Sequence, residues 1–356
     1  MKKDTIILQQ ERDFGDKINA SFTFVSQNFK TVFLSVLYFA GPLSIIGGIA
    51  QGIVQSNNLA FTTSGAVKPR GTSAGEIFAN SFGDSFTHLL TLNYLIAVIF
   101  LILASVTVAI TIYAVMLEYN EDSESLTIER VWARMKTIFL PVLGSYGVTI
   151  LIFLVIVIAF VAVIGALISG LGGIYGGFLS AIIGLIGFII VFYFFVMFSL
   201  SPAIVAYEGI GALEALSRAK FLIKDKWWST FGLIMIIGII NSFVAMIFGA
   251  PAMIVTFMKV LKVGGGISGN VPLIITTVVS TVGQVVVSSL TYVAISFQYF
   301  NLVEKREGNG LKMLIEGIGQ KKLYSPSSFK SNFFSPMPSM SIFRLFPSLF
   351  STKLKY

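Results

Sequence analysis

The chain alternates between long apolar runs and short charged segments. Residues 31–67, 85–117, 137–207, 227–258 and 263–303 contain no Asp, Glu, Lys or Arg. A charge at the centre of a bilayer costs roughly 2.5–3.5 kcal/mol, so such gaps mark where a chain can cross. One crossing takes about 20 apolar residues, because a core of about 30 Å is covered at about 1.5 Å per residue. Four of the gaps hold 32 to 41 residues, enough for one span each, and 137–207 holds 71, enough for two. The pattern predicts an all-α polytopic membrane protein with six transmembrane helices, near 32–54, 89–117, 139–165, 177–200, 228–257 and 272–300. The runs are continuous, unlike the alternating strands of about 10 residues that build a membrane barrel. Gly41, Pro42, Pro141 and Pro251 fall inside spans, where they predict kinks.

An amphipathic stretch precedes spans one, three and five. Phe14, Ile18, Phe22, Val25 and Phe29 form the first stripe. Ile128, Val131, Trp132, Met135 and Phe139 form the second, and Ala212, Leu216, Ala219, Ile223 and Trp227 the third. Each repeats at helical spacing, carries Lys or Arg off the stripe and ends in an aromatic residue. That composition predicts three amphipathic interfacial helices lying among lipid headgroups. The junctions are similar: Lys30-Thr31-Val32-Phe33-Leu34, Lys136-Thr137-Ile138-Phe139-Leu140 and, more loosely, Lys226-Trp227-Trp228-Ser229-Thr230-Phe231. Three repeated units of interfacial helix, span, turn and span account for this. The simpler alternative is that any protein with an even number of spans has such lead-ins.

Charge adds orientation. Of the 25 Lys and Arg residues, 21 fall in the N-terminal segment, the second and fourth connections and the C-terminal segment. Only Lys68, Arg70, Lys259 and Lys262 fall on the other side. The positive-inside rule then predicts both termini in the cytoplasm. The net charge of +8 matches an anionic leaflet and calls for no nucleic acid. Membrane lipids are the expected partners, with other membrane proteins a further expectation; the oligomeric state is not encoded legibly. The first 30 or so residues are polar, the wrong order for a cleavable signal peptide. The expected domains are a lead-in at 1–30, a six-span domain at 31–303 and a tail at 304–356. Residues 323–356 contain nine Ser, six Phe, four Pro and no acid, a composition that fits disorder, leaflet binding or a stretch never selected for structure.

Composition also narrows the chemistry. Hydrophobic residues make up 55% and charged residues 12%, which excludes a water-soluble globular domain. No Cys and one His, His88, leave little to hold a metal or haem, so no cofactor is expected. The glycines around 165–187 match neither dinucleotide nor phosphate-loop patterns. Gly173/Gly177 and Ser180/Gly184 instead predict close helix packing in lipid. Glu118, Glu121, Asp122, Glu124 and Glu129 read as a solvated loop, with cation binding the alternative. Span interiors carry no acid or base, which argues against a proton pump.

The candidate functional site is the elbow after span four: Pro202, Glu208, Glu214, Arg218, Lys226, Trp227 and Trp228. Glu214 and Arg218, four residues apart, are expected to pair across one helical turn. The plainer reading is capping and an elbow salt bridge; the functional one is an acidic site at the mouth of the bundle.

The elbow also carries a resemblance. Pro202-Ala203-Ile204-Val205, Glu208-Gly209, Leu213-Glu214-Ala215-Leu216-Ser217-Arg218-Ala219 and Lys226-Trp227-Trp228-Ser229-Thr230-Phe231-Gly232 resemble the membrane domain attached to some bacterial glycerophosphodiester phosphodiesterases, and related stand-alone multispan proteins of unknown function. The segment from Phe300 to Gly308 is similar to that family's ending. Ala219 and Asn301 depart from it, standing where Ser and Asp are usual. The resemblance implies a membrane part without the family's soluble catalytic domain, and hence no enzyme. The expectation is a non-catalytic protein that organises lipid or partner proteins in the membrane. The alternative is a transporter or channel for a lipid-like or uncharged solute.

Overall fold

In a computed structural model, the structure of the chain is described over residues 5–63, 91–123, 126–171, 173–261 and 269–308. Lys68, Arg70, Phe78, Phe82, Phe86, His88, Glu124, Lys262, Gly264–Gly266 and the tail from 309 lie outside the described residues. The described residues form helices α1 Phe14–Gln27, α2 Phe29–Thr63, α3 Leu92–Glu121, α4 Ile128–Leu171, α5 Gly173–Phe198, α6 Ser201–Glu208, α7 Ala212–Ile223, α8 Trp227–Val260 and α9 Val271–Glu307. Six helical segments are long and apolar enough to cross a membrane, and the protein is an integral membrane protein of all-α class. The helices continue through Pro42, Pro141 and Pro251.

The lead-ins differ from expectation. The second is no separate helix: α4 runs unbroken from Ile128 through the whole third span. No breaker stands between Met135 and Leu140, so nothing stops the helix at the interface. α1 and α2 are parted only by Asn28. Only α7 is set off by a true turn, with Asp225 in the left-handed region at φ 65°, where Asp is tolerated better than most residues. The fourth span ends at Phe198, and Pro202 sits in the first turn of the short helix that follows, where its missing N–H costs nothing.

Helices α2, α3 and α9 pack against one another as a central trio, with α8 laid along α9, α4 along α3 and α5 along α4. α1 and the end of α9 meet at one end of this bundle, where the Arg12 N–H donates to Asn301 Oδ1 at 2.7 Å and Lys305 pairs with Glu11 at 3.3 Å. This is the basic end. The buried core lies toward it, around Tyr113, Met116, Leu200, Ile204, Leu222, Phe297 and Tyr299. Toward the other end the bundle thins. Beyond Ser145 no side chain of α4 is described as buried, and most of α5 and α8 is exposed and apolar on nearly every face. Such surface is stable only against hydrocarbon.

The close-packing glycines are not those expected. A Cβ at Gly177 would meet nothing within 4 Å, and one at Gly184 only a side chain at 3.8 Å. The tight approaches to another helix's Cα fall in α2, at Gly48 and Gly52 against α9, while Gly187 and Gly283 lie close against the rings of Phe160 and Phe248.

Candidate functional site

Two Glu-Gly steps build the elbow. Glu208 and Glu307 are each the last residue of a helix, and each is followed by a glycine in the left-handed conformation, Gly209 at φ 69° and Gly308 at φ 60°. Only glycine enters that conformation cheaply, so each helix stops with its terminal carboxylate at the same level of the bundle. Between them α7 presents Arg218. Its Nε lies 3.1 Å from both oxygens of Glu208, and its Nη2 bonds Glu307. The Tyr299 hydroxyl donates to Glu208 Oε1 at 2.9 Å. Arg306 bonds the Lys224 carbonyl and reaches Asp225 at 3.5 Å, tying the α7–α8 turn to the same corner. The three central side chains are 17–20% exposed, so the cluster is largely shielded.

The expected pairing is therefore corrected. Arg218 turns from Glu214, which stands exposed on α7, to two carboxylates distant in sequence. A pair four residues apart on a surface contributes a few tenths of a kcal/mol, whereas a shielded fork between two carboxylates is stronger and geometrically specific. Pro202 starts α6 inside the core, Lys226 caps α8 and is exposed, and Trp228 is 76% exposed. Trp227 instead faces the bundle. It stacks on Tyr193 and Phe231 at 5.6 and 5.4 Å, and its indole N–H donates to the Tyr193 carbonyl at 3.2 Å. It thereby clamps α5 to α8. The seven predicted residues thus divide into a shielded ion cluster, an aromatic clamp and an exposed rim.

The acidic segment is corrected in the same way. Glu118 is only 7% exposed in its side chain and takes Arg130 Nε at 3.0 Å and Arg134 Nε at 2.7 Å. Glu121 and Asp122 pair with the same two arginines at 2.6 and 3.2 Å. This is a salt-bridge network, and among the described residues no group of three or more His, Cys, Asp or Glu could hold a metal ion. It is also the elbow motif one unit earlier: a carboxylate at the end of one span, arginines from the next lead-in.

Three groups escaped the sequence reading. Tyr113, Tyr207 and Tyr299, with Phe300 and Tyr292, pack ring against ring beneath the ion cluster at centroid distances of 4.9–6.3 Å. The Tyr207 hydroxyl donates to Ser296 at 2.6 Å, and Tyr292 bonds Ser105 at 2.8 Å. Their spacing looked like ordinary apolar span. Lys17 is the second. It is 2% exposed, and its ammonium donates to Gln298 Oε1 at 2.7 Å and Ser229 Oγ at 3.1 Å. Gln298 Nε2 passes on to Thr230 Oγ1 at 2.8 Å. Third, α1 turns this polar face inward, burying Lys17, Ser21 and Phe24, while Phe14, Phe22 and Phe29 are 36–58% exposed. The signal was present: lysine, serine and asparagine at positions 17, 21 and 28 share one face.

Burial, and then the neighbouring charges of Lys305 and Lys226, push the Lys17 ammonium down to about 8, against a small opposing pull from Asp13. Its ordinary value is 10.5. Between those values the unfolded chain holds a proton that the folded one has released, so stability rises with pH across that window. Detergent-solubilised protein is expected to melt at progressively higher temperature from pH 8 toward pH 10, and Lys17→Met should flatten that slope. An unchanged slope in the variant would assign it to another group.

Compared with known protein families, curated proteins and solved structures, the chain matches none. The resemblance described above rests on its motif residues alone.

Proposed function

We propose that the protein is a non-catalytic organiser of lipid or partner proteins in a bacterial inner membrane, with its basic end in the cytoplasm. One observation carries the reading: among the described residues aromatic rings pack the core while the apolar surface is turned outward. Interlocked tyrosine and phenylalanine rings fill the space between α3, α6 and α9. The crevice among Leu200, Thr230, Leu233, Ile237, Thr291 and Gln298 has no room for a water molecule. A transporter or channel for a lipid-like or uncharged solute needs an opening near the midplane, and the ring-packed core of the described residues supports the organising role over that alternative. The orientation follows from the 21 basic residues that the sequence places on one side. The long apolar faces of α4, α5 and α8 offer the surface on which lipid or another helix would pack.

The test is a native pull-down in mild detergent with mass spectrometry of both protein and lipid. Retention of a defined partner or lipid class is the expected result. Recovery of the bare chain, or uptake of an uncharged solute into vesicles holding the purified protein, overturns it.

A further inference from the structure

We propose that the corner where α1 meets the start of α8 and the end of α9 binds the phosphate of an anionic phospholipid. Lys226 and Lys305 are the contacting groups, and the Lys17 ammonium lies beneath them. The inference deepens the organising role and rests on it, since it names the class of lipid.

Three independent positions bring the lysines together. Ser229, which accepts from Lys17 at 3.1 Å, lies three residues past Lys226 in the first turn of α8. Gln298, which accepts from Lys17 at 2.7 Å, lies two turns before Lys305 on the same face of α9. Glu11, just ahead of α1, reaches Lys305 at 3.3 Å. Lys305 and Lys226 each lie near enough to Lys17 to disfavour its charge.

The Lys17 ammonium donates to the neutral Gln298 and Ser229. Asp13 stands one turn before it on α1 and Glu11 is engaged with Lys305. Lys226 is exposed and enters none of the ion pairs among the described residues. A buried cation is costly unless an anion lies near, and among the described residues no carboxylate lies within hydrogen-bonding distance of Lys17. A lipid phosphate bridging Lys226 and Lys305 would supply that anion from the membrane side.

The surroundings suit a lipid rather than a free ion. Trp228 is 76% exposed two residues after Lys226, and Phe14, 36% exposed, lays its ring against Gly232 of α8. These aromatics flank the lysines where headgroup gives way to acyl chain, the level at which Trp concentrates in membranes. The N-terminus of α8 has no side-chain cap, so its positive end opens at the same level.

The experiment uses the full chain, delipidated in detergent and titrated separately with dioleoyl phosphatidylglycerol, dioleoyl phosphatidylcholine and inorganic phosphate, read by native mass spectrometry. Phosphatidylglycerol is expected to saturate one site that phosphatidylcholine does not fill. At about 1 kcal/mol for each lysine near a lipid surface, Lys226→Gln with Lys305→Gln should weaken it about tenfold or more. Both are surface changes, and an unaltered melting curve separates lost binding from lost folding. Lys17→Met should weaken binding less, since it acts from beneath. Equal retention of both lipids, full binding by the double variant, or inorganic phosphate binding as tightly as phosphatidylglycerol each overturns the proposal. The organising role survives that failure if the pull-down still retains a partner or another lipid, and falls only if both come back empty.

Discussion

Arg218→Leu is expected to destabilise the protein by about 3 kcal/mol, the cost typical of removing one partner from a shielded ion cluster. The arginine stands between Glu208 and Glu307, each about four-fifths buried in its side chain. Without it two carboxylates face each other at the ends of two helices, where the helix dipole is itself negative. Tyr299 can satisfy one oxygen of Glu208 but neutralises nothing. The loss should be strongly non-additive. Combining Arg218→Leu with Glu208→Gln and Glu307→Gln should recover most of it, because the repulsion disappears with the charges. Glu214→Gln, on the exposed side of α7, should stay within about 0.5 kcal/mol of the parent. Thermal melting in detergent measures the three variants against the parent. If Arg218→Leu melts no lower than Glu214→Gln, the clasp contributes nothing and the reading of the elbow is wrong.

The same cluster marks what a sequence can and cannot disclose about this fold. The spans were legible because their signal is an absence: a run of about 20 residues without charge has few alternatives to a crossing helix. The elbow residues were legible as a group, because Pro, Glu-Gly and Trp-Trp each punctuate the chain. Their pairing was not. Arg218 has Glu214 within one turn, and nothing local reveals that α9 ends nearby with a second Glu-Gly step. Glu118 was read as solvated for a related reason: a carboxylate among carboxylates looks like a loop until the two arginines of α4 are brought onto it. The inner face of α1 was obscured by habit. In water an amphipathic helix turns its apolar stripe inward. In lipid the argument reverses, and the Lys17 face goes to the protein with Phe24 while Phe14, Phe22 and Phe29 go out. The repeated unit was partly visible, and the twofold use of a terminal carboxylate against arginines from the following lead-in gives it a physical content that the stripes alone lacked.

Helix contact in lipid makes the other large prediction. Lipid tails are as apolar as leucine, so association depends on how closely two backbones approach. α2 and α9 approach most closely at Gly48 and Gly52, four residues apart on one face. A Cβ at Gly52 would lie 2.8 Å from the Ile274 Cα, and one at Gly48 would lie 3.0 Å from the Val278 Cα. Both obstacles are backbone atoms, so no rotamer change relieves them. Gly47, on the adjacent face, meets the side chain of Leu101 of α3 at 2.9 Å, which can move. Two effects oppose each other on substitution. Alanine in place of glycine within a helix gains about 1 kcal/mol in propensity, while overpacking a tight contact costs about 1–3 kcal/mol. At Gly177, where a Cβ meets nothing within 4 Å, propensity should win, and Gly177→Ala should be neutral or stabilising. At Gly52 the overlap should win, and Gly52→Leu should lose about 3 kcal/mol because α2 must move off α9 along its length. Measured as melting temperatures in one detergent, the two alanine variants should shift in opposite directions. Gly52→Ala matching Gly177→Ala would mean that α2 and α9 are not in backbone contact, and the central trio on which the elbow is mounted would have to be rebuilt.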